Sequence, residues 1–126
     1  MKLKIDTLNA PAAIGPYSQA IKAEKTIYIS GQLPINPSTG EFSGEDIKSQ
    51  TKQSLENIKA ILNAVDADMS TVVKTTVLLK NIADFTAMNE VYASYITGIC
   101  PARAAYQVVA LPKDALVEIE AIAVID

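Results

Sequence analysis

Ala115-Leu116-Val117-Glu118-Ile119-Glu120-Ala121-Ile122-Ala123-Val124-Ile125 reads as a β-strand without a clean polar face, and the architecture follows from that. Val117, Ile119, Ala121, Ala123 and Ile125 line one side. The other side holds Ile122 and Val124, with Glu118 and Glu120 as its only charges. An antiparallel strand open to water on one side alternates apolar with polar residues. Here both faces call for at least partial cover. Immediately upstream, Leu111-Pro112-Lys113-Asp114 is a turn in which proline and aspartate are at home, and it joins this strand to another over about Arg103 to Val109.

Working back toward the N-terminus, Phe85, Met88, Val91, Tyr92, Tyr95 and Ile96 form a helical apolar stripe, which Asp84 can cap and Gly98 can close. A strand is expected over Val72 to Lys80. From Asp46 to about Asp66, Ile47, Leu55, Ile58, Ile61, Leu62 and Val65 fall on one helical face, with Lys48, Lys52, Glu56, Lys59 and Asn63 opposite. Pro34 to Gly44 is a surface loop with its turn at Asn36-Pro37-Ser38-Thr39-Gly40. Ser18 to Lys22 and Thr26 to Leu33 form a candidate hairpin, preceded by a proline-rich loop and a short strand around Leu3 to Ile5. The order is three strands, helix, strand, helix, two strands. It predicts a single α+β domain over residues 1–126, with a mixed, mainly antiparallel sheet and two helices on one face. The uncovered face is most simply covered by another copy of the chain, which places sites at subunit seams.

Composition narrows the chemistry. The 126 residues are 49% hydrophobic and carry a net charge of −3 with scattered lysines, so no basic stripe marks a nucleic-acid surface. No apolar run reaches the roughly 20 residues of a membrane span, Met1 to Asp6 lack the apolar run of a secretion signal, and a single cysteine cannot staple a secreted mini-fold. A cytoplasmic protein is expected, an organellar one remaining compatible. Histidine is absent and Cys100 is the only cysteine, which leaves no transition-metal site and no calcium-loop spacing among the acids. Catalysis would rest on carboxylates, hydroxyls, backbone groups and water.

A chain with ten lysines and one arginine has placed that arginine where a planar fork of donors matters. Arg103 begins an apolar strand and therefore calls for an anionic partner. Spacing leaves two readings open: an internal salt bridge to Glu118 or Glu120 on a neighbouring strand, or a bound ligand. Glu118 and Glu120 are either solvated charges or, in apolar company, candidates for a carboxylate that positions water. Tyr17 follows Gly15-Pro16 in a loop and could present its hydroxyl to a cleft or simply pack. Ser30-Gly31 interrupts a strand, as a bulge or where backbone approaches a ligand. Asn89 lies on the second helix at a possible subunit boundary. Cys100 has no basic helper and reads as inert.

Together these segments resemble one family. Ala10-Pro11-Ala12-Ala13-Ile14-Gly15-Pro16-Tyr17-Ser18-Gln19-Ala20, Ser30-Gly31-Gln32-Leu33-Pro34, Val73-Lys74-Thr75-Thr76-Val77, Asn89-Glu90-Val91-Tyr92, Pro101-Ala102-Arg103 and the run Leu111 to Ala123 are similar, in order and spacing, to the RidA family, also called YjgF or L-PSP. The resemblance implies a chorismate-mutase-like fold assembled as a homotrimer with clefts between subunits. It implies hydrolysis of reactive enamines and imines, such as 2-aminoacrylate and 2-iminopropionate, to 2-keto acids and ammonia, without a cofactor or metal. Arg103 would hold the substrate carboxylate and Glu118 would activate water, while Tyr17, Ser30, Gly31, Asn89 and Pro112 would line the cleft. Two other functions fit the same resemblance: a non-enzymatic regulatory trimer that binds keto acids, and the translation inhibitor or endoribonuclease of older family names. Where many members read arginine, serine, cysteine, this chain reads Arg103-Ala104-Ala105, and its link Ile96 to Pro101 is short.

Overall fold

The strand with two apolar faces is an interior one. In a computed structural model that describes residues 1–126, β6 (Val117–Val124) lies between β3 (Thr26–Gln32) and β4 (Val72–Leu79) and pairs antiparallel with both. The remaining strands are β1 (Lys2–Ile5), β2 (Ala20–Ala23) and β5 (Ala102–Gln107), and the six-stranded order is β1-β2-β3-β6-β4-β5. Only β4 and β5 run parallel. A parallel pair needs a crossover, and helix α2 (Phe85–Ser94) supplies it. With α1 (Ile47–Asn63), this gives the expected mixed sheet and two helices.

Val117, Ile119, Ala121 and Ala123 are each no more than 3% exposed and face α1, whose Leu55, Ile58, Ile61 and Leu62 are fully buried. At about 1.5–3 kcal/mol for each large apolar side chain taken from water, this layer dominates the favourable side of folding. Asp46 starts α1 by accepting from the Ser49 N–H at 2.8 Å. The helix stops at Asn63, short of the expected Asp66, because Asp66 turns left-handed (φ 58°). There the Ala67 N–H bonds back to the Leu62 carbonyl, closing a Schellman turn.

Two helix-end expectations are corrected. Asp84 makes no capping hydrogen bond; Asn81 caps a 3-10 turn (Ile82–Asp84) that leads into α2. Gly98, at φ 78°, belongs to the link beyond the helix and not to its cap. The strand expected over Arg103 to Val109 ends at Gln107.

The other face of the sheet is bare in one chain. Tyr28, Val124 and Glu120 are exposed on it, and Ile122 and Glu118 are partly so.

Candidate active site

Arg103 points to the helix side. Its register partner on β4 is Thr75, which is buried and hydrogen bonded through its hydroxyl to the Tyr92 hydroxyl of α2 at 2.7 Å. The guanidinium lies over the Tyr92 ring, 4.8 Å from its centroid, and over Phe85 at 5.4 Å. Arg103 Nη1 donates to Asn89 Oδ1 at 2.6 Å. A cavity of about 450 Å³ opens beside it, bordered also by Ile96, Cys100 and Pro101.

The carboxylate side of the candidate site is elsewhere. Tyr17, Ser30, Gly31, Pro112 and Glu118 border a second cavity of about 570 Å³, with Lys113 and Glu120 at its edge. β3 and β6 lose register between Ile29 and Gln32, so Ser30 and Gly31 form a bulge that carries them toward Glu118. A side chain at Gly31 would collide with the Glu118 carboxylate, its Cβ falling 2.9 Å from Cδ. The glycine thus lets the carboxylate lie against backbone. Burial first, and the charge of Glu120 second, push the Glu118 carboxyl above its ordinary pKa. Ser30 Oγ donates to the Ser18 carbonyl at 2.6 Å, which spends its proton and leaves its lone pairs to accept. Lys113 and Asp114 both sit in the left-handed region (φ 56° and 59°) in the turn after Pro112. Backbone bonds from the Asp114 N–H to the Leu111 carbonyl at 3.1 Å and from the Ala115 N–H to the Pro112 carbonyl at 3.2 Å close the turn, and the exposed Asp114 pairs with Lys80 at 2.8 Å.

Of the residues singled out in the sequence, the fold therefore brings Tyr17, Ser30, Gly31, Pro112 and Glu118 together, and separately Arg103 with Asn89. It does not join the two groups within one chain. The internal salt bridge from Arg103 to Glu118 or Glu120 is overturned, for two reasons. β4 intervenes between β5 and β6, and Arg103 shares the helix-side face with Thr75 and Ala121, whereas Glu118 pairs with Leu78 on the opposite face.

Phe85 and Tyr92 escaped the sequence reading because their spacing matched a core stripe. Their placement at i and i+7 around Asn89 at i+4 was the available signal. Gln19 was missed as well. It is 2% exposed, and its amide nitrogen donates to the carbonyls of Thr7, Ala10 and Pro11, pinning the loop that leads to Tyr17. No three acidic or cysteine side chains converge on a metal-sized site, and no helix is long and apolar enough to cross a membrane.

A family model described as Endoribonuclease L-PSP matches residues 7–125. A RutC family protein of Pyrococcus horikoshii is 58% identical over 123 residues, covering 98% of both chains. A mouse protein named 2-iminobutanoate/2-iminopropanoate deaminase is 54% identical over 120 residues, covering 95% of this chain and 89% of that one. The crystal structure of E. coli TdcF with bound serine superposes with a TM-score of 0.95 at 41% identity, covering 98% of this chain and 99% of that one. With a family match along nearly its whole length, relatives above half identity and the same arrangement of sheet and helices, this chain belongs to the RidA family, also called YjgF or L-PSP.

Proposed function

We propose that the chain hydrolyses small reactive imines and their enamine tautomers, of the 2-aminoacrylate and 2-iminopropionate type, to 2-keto acids and ammonia. Residues 1–126 act as one RidA-type unit of chorismate-mutase-like fold, assembled as a homotrimer. One observation carries the reading: Arg103 is held by an amide and two aromatic rings and forms no ion pair with any carboxylate of its own chain. A fixed guanidinium without an internal anion is a receptor for a ligand's carboxylate. The mouse relative's named activity supplies the substrate class, and the serine bound to TdcF is a small α-amino carboxylate of matching size.

In this mechanism the substrate carboxylate rests on Arg103 of one subunit, and the imine carbon faces Glu118 of the next. The protonated imine is already electrophilic, so positioning and one proton-transfer group suffice. Glu118 takes a proton from water as the water oxygen bonds to the imine carbon and the C=N π pair moves to nitrogen, giving a carbinolamine. Glu118 then returns the proton to nitrogen. The C–N bond breaks as the oxygen lone pair forms C=O, and the released ammonia takes up the hydroxyl proton. Imine cation and water become keto acid and ammonium. Ser30 Oγ and the Tyr17 hydroxyl lie where they can accept from the substrate N–H groups, and Pro112 walls the cleft. The family model's description points to RNA cleavage, but a net charge of −3 without a basic stripe offers no phosphate-binding footprint.

The test is imine hydrolysis above the uncatalysed background. Glu118→Gln is expected to lower kcat by about a hundredfold or more, the usual worth of a general base. Arg103→Ala is expected to raise KM by about tenfold to a hundredfold, as loss of a charge-assisted bond requires. Rates like wild type in both variants defeat the mechanism.

A further inference from the structure

Three residues on one stripe of α2 make the seat of the only arginine: Phe85, Asn89 and Tyr92, at i, i+4 and i+7. Their chemistry differs from what usually holds a buried cation. An aspartate or glutamate would neutralise the guanidinium and compete with an incoming carboxylate. Aromatic faces attract the cation through the plane of the guanidinium and leave its in-plane N–H donors free. Asn89 is likewise neutral and occupies Nη1. The Tyr92 ring is itself fixed, because its hydroxyl bonds to Thr75, the strand residue in register with Arg103. The ring that holds the arginine is thus tied to the strand beside it.

We propose that Phe85 and Tyr92 are positioning residues that lock the Arg103 guanidinium in one orientation, so that the substrate carboxylate meets a fork already immobilised with its positive charge unspent. The inference rests on Arg103 as the carboxylate anchor. Without the rings, each binding event would have to freeze a long, rotamer-rich side chain, and affinity for carboxylates would fall. Ligands lacking a carboxylate would not register the change.

The experiment compares wild type, Phe85→Leu, Phe85→Tyr and Arg103→Ala by imine-hydrolysis kinetics, and by competition with pyruvate and with its uncharged amide. In Phe85→Leu, KM and the inhibition constant for pyruvate are expected to rise together by about threefold to tenfold, the worth of a partly desolvated cation–π contact. The kcat value and the inhibition constant for the amide should hold. Phe85→Tyr, which restores a ring face, should recover most of the loss. The proposal is overturned if Phe85→Leu leaves pyruvate affinity unchanged, or weakens pyruvate and its amide equally, as a general structural defect would. Arg103→Ala separates the premises: if it binds pyruvate as tightly as wild type, the anchor reading fails, and the role of Phe85 fails with it.

Discussion

Glu118 meets two opposing demands at the scale of a single residue. As a base it must be ionised, yet burial and the neighbouring Glu120 both favour its protonated form. The acid limb of kcat/KM should therefore lie above the ordinary carboxylate range. Glu120→Gln should move it toward lower pH, while burial, the larger cause, keeps it raised. An acid limb that persists unmoved in Glu118→Gln would remove Glu118 from the role of base. The same shift has a sign for stability. A carboxyl whose folded pKa is raised contributes stability below its unfolded pKa of about 4.3, and loses it as pH rises through the folded value. Glu118→Gln should accordingly melt higher than wild type at neutral pH, an advantage that fades as the buffer becomes acidic enough to protonate Glu118 in both states. Both proposed site residues stood out in sequence, Arg103 by its rarity and Glu118, together with Glu120, by interrupting an apolar strand face; the family resemblance alone separated Glu118 from Glu120. The seat of Arg103 did not stand out, since Phe85 and Tyr92 differ from core residues only in what the fold brings beside them.

Among the elements, the periodic ones were read correctly and the irregular ones only in part. α1 and β6 announce themselves because burial repeats at their own period. The end of α2 did not, because Tyr95 closes it by backbone bonds alone and the suggestive glycine comes later. Strand order was the costly omission. Nothing local tells β6 to slip between β3 and β4, so Arg103 and Glu118 were expected on neighbouring strands. Loops around the carboxylate cavity depend on buried carboxamides that composition cannot locate. Asn57 donates to the carbonyls of Leu33 and Ile35, and Gln19 clamps Thr7, Ala10 and Pro11 while accepting from the Thr7 N–H at 2.8 Å. Gln19→Met keeps the volume but leaves these groups unpaired. It should cost about 2–4 kcal/mol in urea unfolding, since each stranded buried group is worth roughly 1–3 kcal/mol. A loss below about 0.5 kcal/mol, the level of an ordinary surface substitution, would show that the loop holds itself.

For the whole molecule, the decisive fact is that Arg103 and Glu118, the two sides of the proposed site, lie on opposite faces of the sheet within one chain. A two-fold dimer joins one patch to the same patch on its partner. Joining the Arg103 side of one copy to the Glu118 side of the next instead needs a heterologous contact, which ends only by closing into a ring. The proposed trimer is such a ring, and it would cover the sheet face on which Tyr28 and Val124 are exposed. Mixing two variants, each impaired on a different side of the site and assayed at substrate concentrations well below KM, tests whether subunits share sites. A subunit with Arg103→Ala still offers Glu118, and one with Glu118→Gln still offers Arg103. In a ring, each site draws its arginine from one subunit and its carboxylate from the next, so random mixing in equal parts rebuilds about a quarter of the sites. Co-refolded mixtures should then recover about a quarter of wild-type activity, whereas the same variants mixed after separate assembly should recover none until subunits exchange. If Arg103 and Glu118 instead served one site from a single chain, no mixture would contain a complete site, and activity would stay at the mean of the two parents.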